Sequence, residues 1–218
     1  MLEEVDWSFE TLVQPGHTLL VVLAMQNDYC SEKGLIRGGG FSMEMTREMA
    51  PRLARFITKS RDAGVLVVHV RSLMTQWAPH APTIRQYKKL NITRRVTEPG
   101  SWGAGWFEEY PEFTPDPQDC VVTTQRYSAF TGTELDLLLR SRGVRTVLFT
   151  GITTNGAIEF AARDAFDLDY HVVLVEDCAA ARVRSMHDAA IWNFKYLYGN
   201  VATSVEILDA WRSLGIVV

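Results

Sequence analysis

The chain has 218 residues, 47% hydrophobic and 22% charged, with a formal net charge of −4 at pH 7. This length fits one domain with a sizeable core, and this composition excludes a disordered chain. The acidic balance and the lack of a basic run exclude nucleic acid as an expected partner, and apolar runs such as Leu19 to Met25 are too short to span a membrane.

In chain order, Met1 to Gln14 opens with Glu3, Glu4 and Asp6 and has no basic stretch ahead of an apolar one, so no signal peptide is expected. Residues 1–16 are taken as an arm and 17–218 as a single domain. Thr18–Leu23 reads as a buried strand, Ser42–Ala63 as an amphipathic helix and Val65–Val70 as a second strand. From Ser72 to Asp119 the chain carries Pro79, Pro82, Pro99, Pro111, Pro115 and Pro117 together with Trp77, Trp102 and Trp106. So long an irregular segment in a compact domain is expected to form a lid or a binding wall. Strands follow at Cys120–Thr123, Thr146–Thr150, His171–Val175 and, more weakly, Asn200–Thr203. Helices are expected over Thr133–Arg142, Gly156–Leu168, Arg184–Tyr198 and Ser204–Leu214, with Gly64, Gly143 and Gly199 as left-handed C-caps.

The strands are apolar nearly throughout, so helices must cover both faces. The fold class is therefore α/β: a three-layer α/β/α sandwich around a central parallel sheet of about six strands. Ligands in such sheets collect beyond the carboxyl ends of the strands, where the strand order reverses. Three segments end strands there: Leu23 to Asp28, Thr123 to Ser128 and Gly151 to Ala157. The third joins a buried strand to a helix through Gly151, Thr153, Thr154 and Asn155, and such a helix start favours an anion or oxyanion. A capping role for Thr154 or Asn155 explains the same residues equally well. Cys30, Cys120 and Cys178 are odd in number and lack CxxC spacing, so no disulfide framework is expected and a reducing cytoplasm is the simplest location.

Thr18 to Cys30, Arg126 to Asp136, Gly151 to Asn155, Arg163 to Ala165, Glu176 to Ala180, His187 to Ala190 and Tyr196 to Gly199 follow one another in an order that resembles the isochorismatase-like hydrolases. The resemblance spans about residues 17 to 210 and implies a Rossmann-like strand order. It also implies a hydrolase of C–N bonds, commonly a homo-oligomer, acting on a small molecule. Amidases of that family use an Asp, a Lys and a Cys. The thiolate attacks the carbonyl, the Asp moves the proton and the Lys polarises the pair. Matched motif by motif, those positions carry Ala24, Thr124 and Ala157 here, and none of the three side chains can do that work. Asp28 and Cys30 lie four and six residues beyond the first position and are not expected to reach the same point. Asp28 suits a turn, and Cys30 a packed apolar place.

No cofactor is expected, and no metal. The Asp-x-His pattern of the metal-binding members is missing, the second strand ending instead at His69-Val70-Arg71 with His80 beyond it. His187 suits a helix core, Ser128 has no base beside it in sequence, and Gly38 to Gly40 reads as a flexible loop. The resemblance further implies a cis peptide at Ile152–Thr153 that aims the Thr153 and Ala157 N–H groups into the pocket. Gln26, Gln125, Arg126, Asn155, Trp102 and Trp106 are expected around it as substrate-binding residues. Such a pocket would be roomy and nearly uncharged, suited to a neutral, partly aromatic molecule. Three functions stay open: a diverged non-hydrolytic enzyme or binding protein, a metal-independent amidohydrolase of an amide or ureido substrate inactivated by natural or deliberate substitution, and a non-catalytic assembly subunit.

Overall fold

The computed structural model describes residues 8–218, so Glu3, Glu4 and Asp6 of the expected arm lie outside the described residues. Six strands, β1 (Thr18–Leu23), β2 (Leu66–Ser72), β3 (Cys120–Thr124), β4 (Thr146–Ile152), β5 (His171–Ala180) and β6 (Asn200–Ala202), form one sheet. Its order is β3-β2-β1-β4-β5-β6, and every neighbouring pair is parallel. Among the described residues eight α-helices accompany it: α1 (Phe9–Leu12), α2 (Asn27–Cys30), α3 (Glu44–Asp62), α4 (Ala81–Lys89), α5 (Leu135–Ser141), α6 (Glu159–Asp167), α7 (Arg184–Asn193) and α8 (Ser204–Ser213).

Alternation along β1 explains the layers. Leu20 and Val22 join Leu53, Phe56 and Ile57 of α3 and Trp211 of α8 in one core. Leu19, Val21 and Leu23 join Leu135 and Leu139 of α5 and Ala161, Ala162 and Ala165 of α6 in the other. Both faces are dry, which is why the strands show no polar alternation. The arm is tied down from Ser8 onward, where Thr146 Oγ1 donates to the Leu12 carbonyl at 2.6 Å and Trp211 Nε1 to the Val13 carbonyl at 2.7 Å.

The structure differs from the sequence reading in places with identifiable causes. The segment from Ser72 to Asp119 contains α4, whose Pro82 sits in the first helical turn, where a missing N–H costs nothing. Gly64 and Gly143 are left-handed as expected, at φ +76° and +65°. Gly199 instead is extended at φ −165°, and a side chain there would crowd Val172, its Cβ falling 2.7 Å from the carbonyl oxygen. Gly38 and Gly39 belong to a short helical turn, Arg37–Gly39, rather than an open loop. The last strand stops at Ala202 because Thr203 caps α8: its Oγ1 accepts from the Glu206 N–H at 3.2 Å, while the Glu206 carboxylate accepts from the Thr203 N–H at 2.6 Å. Thr203→Ala should therefore cost about 1 kcal/mol in a denaturant titration. An unchanged midpoint would show the cap to be dispensable.

Candidate functional site

The chain leaves β1 for β2 and β3 on one side and β4 for β5 and β6 on the other, so the order reverses between β1 and β4. A cavity of about 470 Å³ opens there, beyond the carboxyl ends of the strands. Ala24 follows β1 at φ +52° and still donates its N–H to the Val70 carbonyl at 2.8 Å. That left-handed backbone costs an alanine about 1–2 kcal/mol, and Asp and Asn adopt it more readily. Next to it, Gly151 of β4 has φ +99°, and any Cβ would strike the backbone of Leu23. The Ile152–Thr153 peptide is cis. The wide turn Thr154–Ile158 comes next, with Gly156 at non-helical φ −128°, ψ −108°, so the helix expected from Gly156 is regular only from Glu159.

On the β3 side, Thr124 is 3% exposed and organises the turn that follows. Its Oγ1 accepts from the Arg126 N–H at 3.0 Å and donates to the Ser128 carbonyl at 3.1 Å. Ser128 Oγ in turn accepts from the Phe130 N–H at 3.1 Å, a turn role. Thr75 Oγ1 donates to Gln125 Oε1 at 2.7 Å, and Asn155 Nδ2 stands 3.6 Å from the Met186 sulfur. Ala24, Thr124, Gln125, Arg126, Thr153, Asn155 and Ala157, distant in sequence, thus all line one cavity.

Three expected residues stand outside that wall. Gln26 is fully buried, and its side chain is spent on the backbone: Nε2 donates to the Ser72 and Ala104 carbonyls at 3.1 and 2.9 Å, and Oε1 accepts from the Ser72 N–H at 2.7 Å. Trp102 points to solvent, donating to Glu108 at 3.1 Å, and Trp106 packs edge-on against His69 with centroids 5.6 Å apart. Asp28 is structural, accepting from the Leu35 and Thr97 N–H groups at 3.1 and 2.7 Å. Cys30 does return to the strand end, its sulfur 3.8 Å from the Ala24 carbonyl, because residues 27–30 coil into α2 instead of extending. It faces the core, and burial pushes its thiol pKa up to about 12. Burial likewise raises Cys178, and Cys120 opens β3 at the end away from the cavity. His187 is buried with Nδ1 2.8 Å from Thr154 Oγ1, and desolvation lowers its pKa.

The cavity is not as uncharged as expected. Arg182, just past β5, enters it beside Tyr29, Tyr87 and Tyr127. The signal was available: an arginine directly follows the run Cys178-Ala179-Ala180-Ala181 where a buried strand ends. The wall opposite the strands comes from α4, through Thr83 and Tyr87, and from His80 just before it. Among the described residues, no Asp, Glu, Lys or Cys lines the cavity, and no group of three His, Cys, Asp or Glu side chains could hold a metal.

An isochorismatase domain model matches residues 18–206. A ureidoacrylate amidohydrolase RutB from Enterobacter sp. (strain 638) is 34% identical over 206 residues, covering 90% of each chain. The RutB protein of Acinetobacter baylyi is 30% identical, covering 91% of this chain and 85% of that protein. An isochorismatase family protein from Desulfovibrio vulgaris superposes with TM-score 0.75 at 27% identity, covering 90% of this chain and 98% of that one. A cysteine hydrolase from Pseudomonas syringae has the same fold, with TM-score 0.79 at 22% identity and coverage of 91% and 94%.

Proposed function

The chain belongs to the isochorismatase domain family, and from that premise we propose that its cavity takes a small molecule without cysteine-type hydrolysis, as a diverged non-hydrolytic enzyme or binding protein. One observation carries this reading: the wall that gathers Ala24, Thr124 and Ala157 holds no thiol, carboxylate or ammonium group among the described residues. A cysteine hydrolase needs a nucleophile, a base to take its proton and a cation to keep it ionised. The described cysteines offer no substitute, since Cys30 and Cys178 are buried and their thiols resist ionisation. Ala24 adds support through its backbone, which keeps a left-handed geometry better suited to Asp than to Ala. An assembly subunit would have no need of such a cavity at the switch point.

The relatives named as ureidoacrylate amidohydrolases favour a second reading, in which the same cavity once held an amide or ureido substrate and positions 24, 124 and 157 have since changed. Both readings expect no cysteine-dependent turnover from the chain as it stands. Incubation with ureidoacrylate, nicotinamide or biuret should release no ammonia above the buffer blank, because loss of even one member of such a set removes orders of magnitude in rate. Ammonia release that disappears in Cys30→Ala would overturn the proposal and assign the chemistry to a thiol outside the cavity wall.

A further inference from the structure

A second cavity, of about 340 Å³, lies apart from the one at the switch point, between α3, α7 and the later half of β5. Its wall carries Arg52 of α3, Glu176 of β5, and His187 and Asp188 of α7. His187 is only 5% exposed and reaches back to the turn after β4, where its Nδ1 lies 2.8 Å from Thr154 Oγ1. Thr154 is fully buried and its hydroxyl has no second partner, so it donates to Nδ1 and leaves the proton of the neutral ring on Nε2. Desolvation favours that neutral ring. Among the described residues Nε2 has no acceptor, yet it is not sealed into the core, so its N–H is presented to the second cavity. Asp177 is already spent, its carboxylate accepting from the Ser204 N–H and hydroxyl, each at 2.7 Å. Its neighbour Glu176 is half-buried and has no hydrogen bond or ion pair among the described residues, and the same holds for the more exposed Arg52. Glu48 and Arg184 also line the cavity, 3.4 Å apart and both exposed, a pairing of little strength in water.

We propose that this second cavity binds a small amino-acid zwitterion, its carboxylate held by the His187 Nε2–H and the Arg52 guanidinium and its ammonium group by Glu176. An amine alone would leave the His187 donor and Arg52 without an acceptor. A carboxylate alone would meet Glu176 and Asp188 as like charges. A zwitterion satisfies both sets at once, through charge-assisted hydrogen bonds, which are the stronger kind. Among the described residues no group of three His, Cys, Asp or Glu side chains could hold a metal, so the cation suited to Glu176 is one that donates hydrogen bonds. The site is separate from the switch-point cavity but close to it, because Thr154 belongs to the turn whose Thr153, Asn155 and Ala157 line that cavity. A ligand on His187 therefore stands one hydrogen bond away from that wall.

Calorimetric titration of the full chain with glycine, L-serine and γ-aminobutyrate tests this. Each is compared with the two molecules left when one charged group is removed: acetate and methylamine, 3-hydroxypropanoate and ethanolamine, butyrate and propylamine. At least one zwitterion should bind about tenfold or more tightly than both of its analogues, the gain expected from a charge-assisted pair. Glu176→Gln should weaken that binding about tenfold and bring the zwitterion level with its carboxylate analogue. Because this change removes an unpaired carboxylate, the melting temperature without ligand should equal or exceed that of the unaltered chain, separating lost recognition from lost folding. Arg182→Gln, which alters the switch-point cavity instead, should leave zwitterion binding unchanged. No zwitterion binding, no preference over either analogue, an unchanged affinity in Glu176→Gln, or a loss confined to Arg182→Gln would each overturn the proposal. Ammonia release from an amide would instead contradict the non-hydrolytic reading of the switch-point cavity and leave this second site standing.

Discussion

Asp119→Ala should destabilise the protein by about 3–5 kcal/mol, the range found when one partner of a buried charged group is removed. The Asp119 side chain is 1% exposed and accepts from Arg61 through both Nε, at 3.2 Å, and Nη2. It also lies 3.1 Å from His69 Nε2 and accepts from the Asp116 N–H at 2.9 Å. These contacts fasten the start of β3 to the end of α3 and to the middle of β2, whose last residue, Ser72, lines the cavity. Alanine would strand a fully buried His69 and an Arg61 that is only 15% exposed.

The same group predicts a pH dependence. Burial alone would raise the Asp119 pKa, but the hydrogen bonds from His69 and Arg61 outweigh it and hold the carboxyl well below the usual carboxylate range. A depressed folded pKa contributes stability that is complete above the unfolded value of about 3.9 and is lost as pH falls below it toward the folded one. Denaturant titrations should therefore show the loss from Asp119→Ala in full at pH 7 and a smaller difference at pH 3. A loss under about 1 kcal/mol at pH 7, or one that does not shrink in acid, would show that the cluster contributes little.

Much of the fold was legible because its signals are local. Unbroken apolar runs such as Leu19 to Val22 reported strands dry on both faces, and Gly64 and Gly143 marked helix ends through a backbone conformation that favours glycine. Helix α4 was hidden because Pro82 reads as a breaker, while only its place in the first turn makes it harmless. Gly199 was misread for the opposite reason: its lack of a side chain answers the close approach of Val172, a contact between distant segments that spacing along the chain does not record.

The candidate site divides in the same way. Ala24, Thr124 and Ala157 sit where strands end, and motif order was enough to expect them at one place. Gln26 looked like a binding residue because it follows Ala24 so closely, yet its amide is consumed by Ser72 and Ala104, partners 46 and 78 residues away. Arg182 directly follows the buried run Cys178 to Ala181, but among 22 Lys and Arg residues that position stands out only once the buried Nη1 is seen to lack a partner.

Positions 24, 124 and 157 must meet closely enough to act on one another if they are the remains of a reactive site. A chain carrying Ala24→Asp, Thr124→Lys and Ala157→Cys places a thiol, a carboxylate and an ammonium group in the wall of one cavity, at the turn that opens helix α6. A nearby cation and a helix start both favour the thiolate, and lowering a thiol from about 8.5 to about 7 raises its ionised fraction at pH 7 more than tenfold. Nucleophilicity falls with basicity and returns part of that gain, so alkylation at position 157 by iodoacetamide should run about threefold to fourfold faster than in a chain with Ala157→Cys alone. Peptide mass spectrometry reads position 157 separately from Cys30, Cys120 and Cys178. A faster rate in the triple variant is the predicted result, whereas equal rates in the two chains would mean that the three positions do not act on one another and would contradict the site described here.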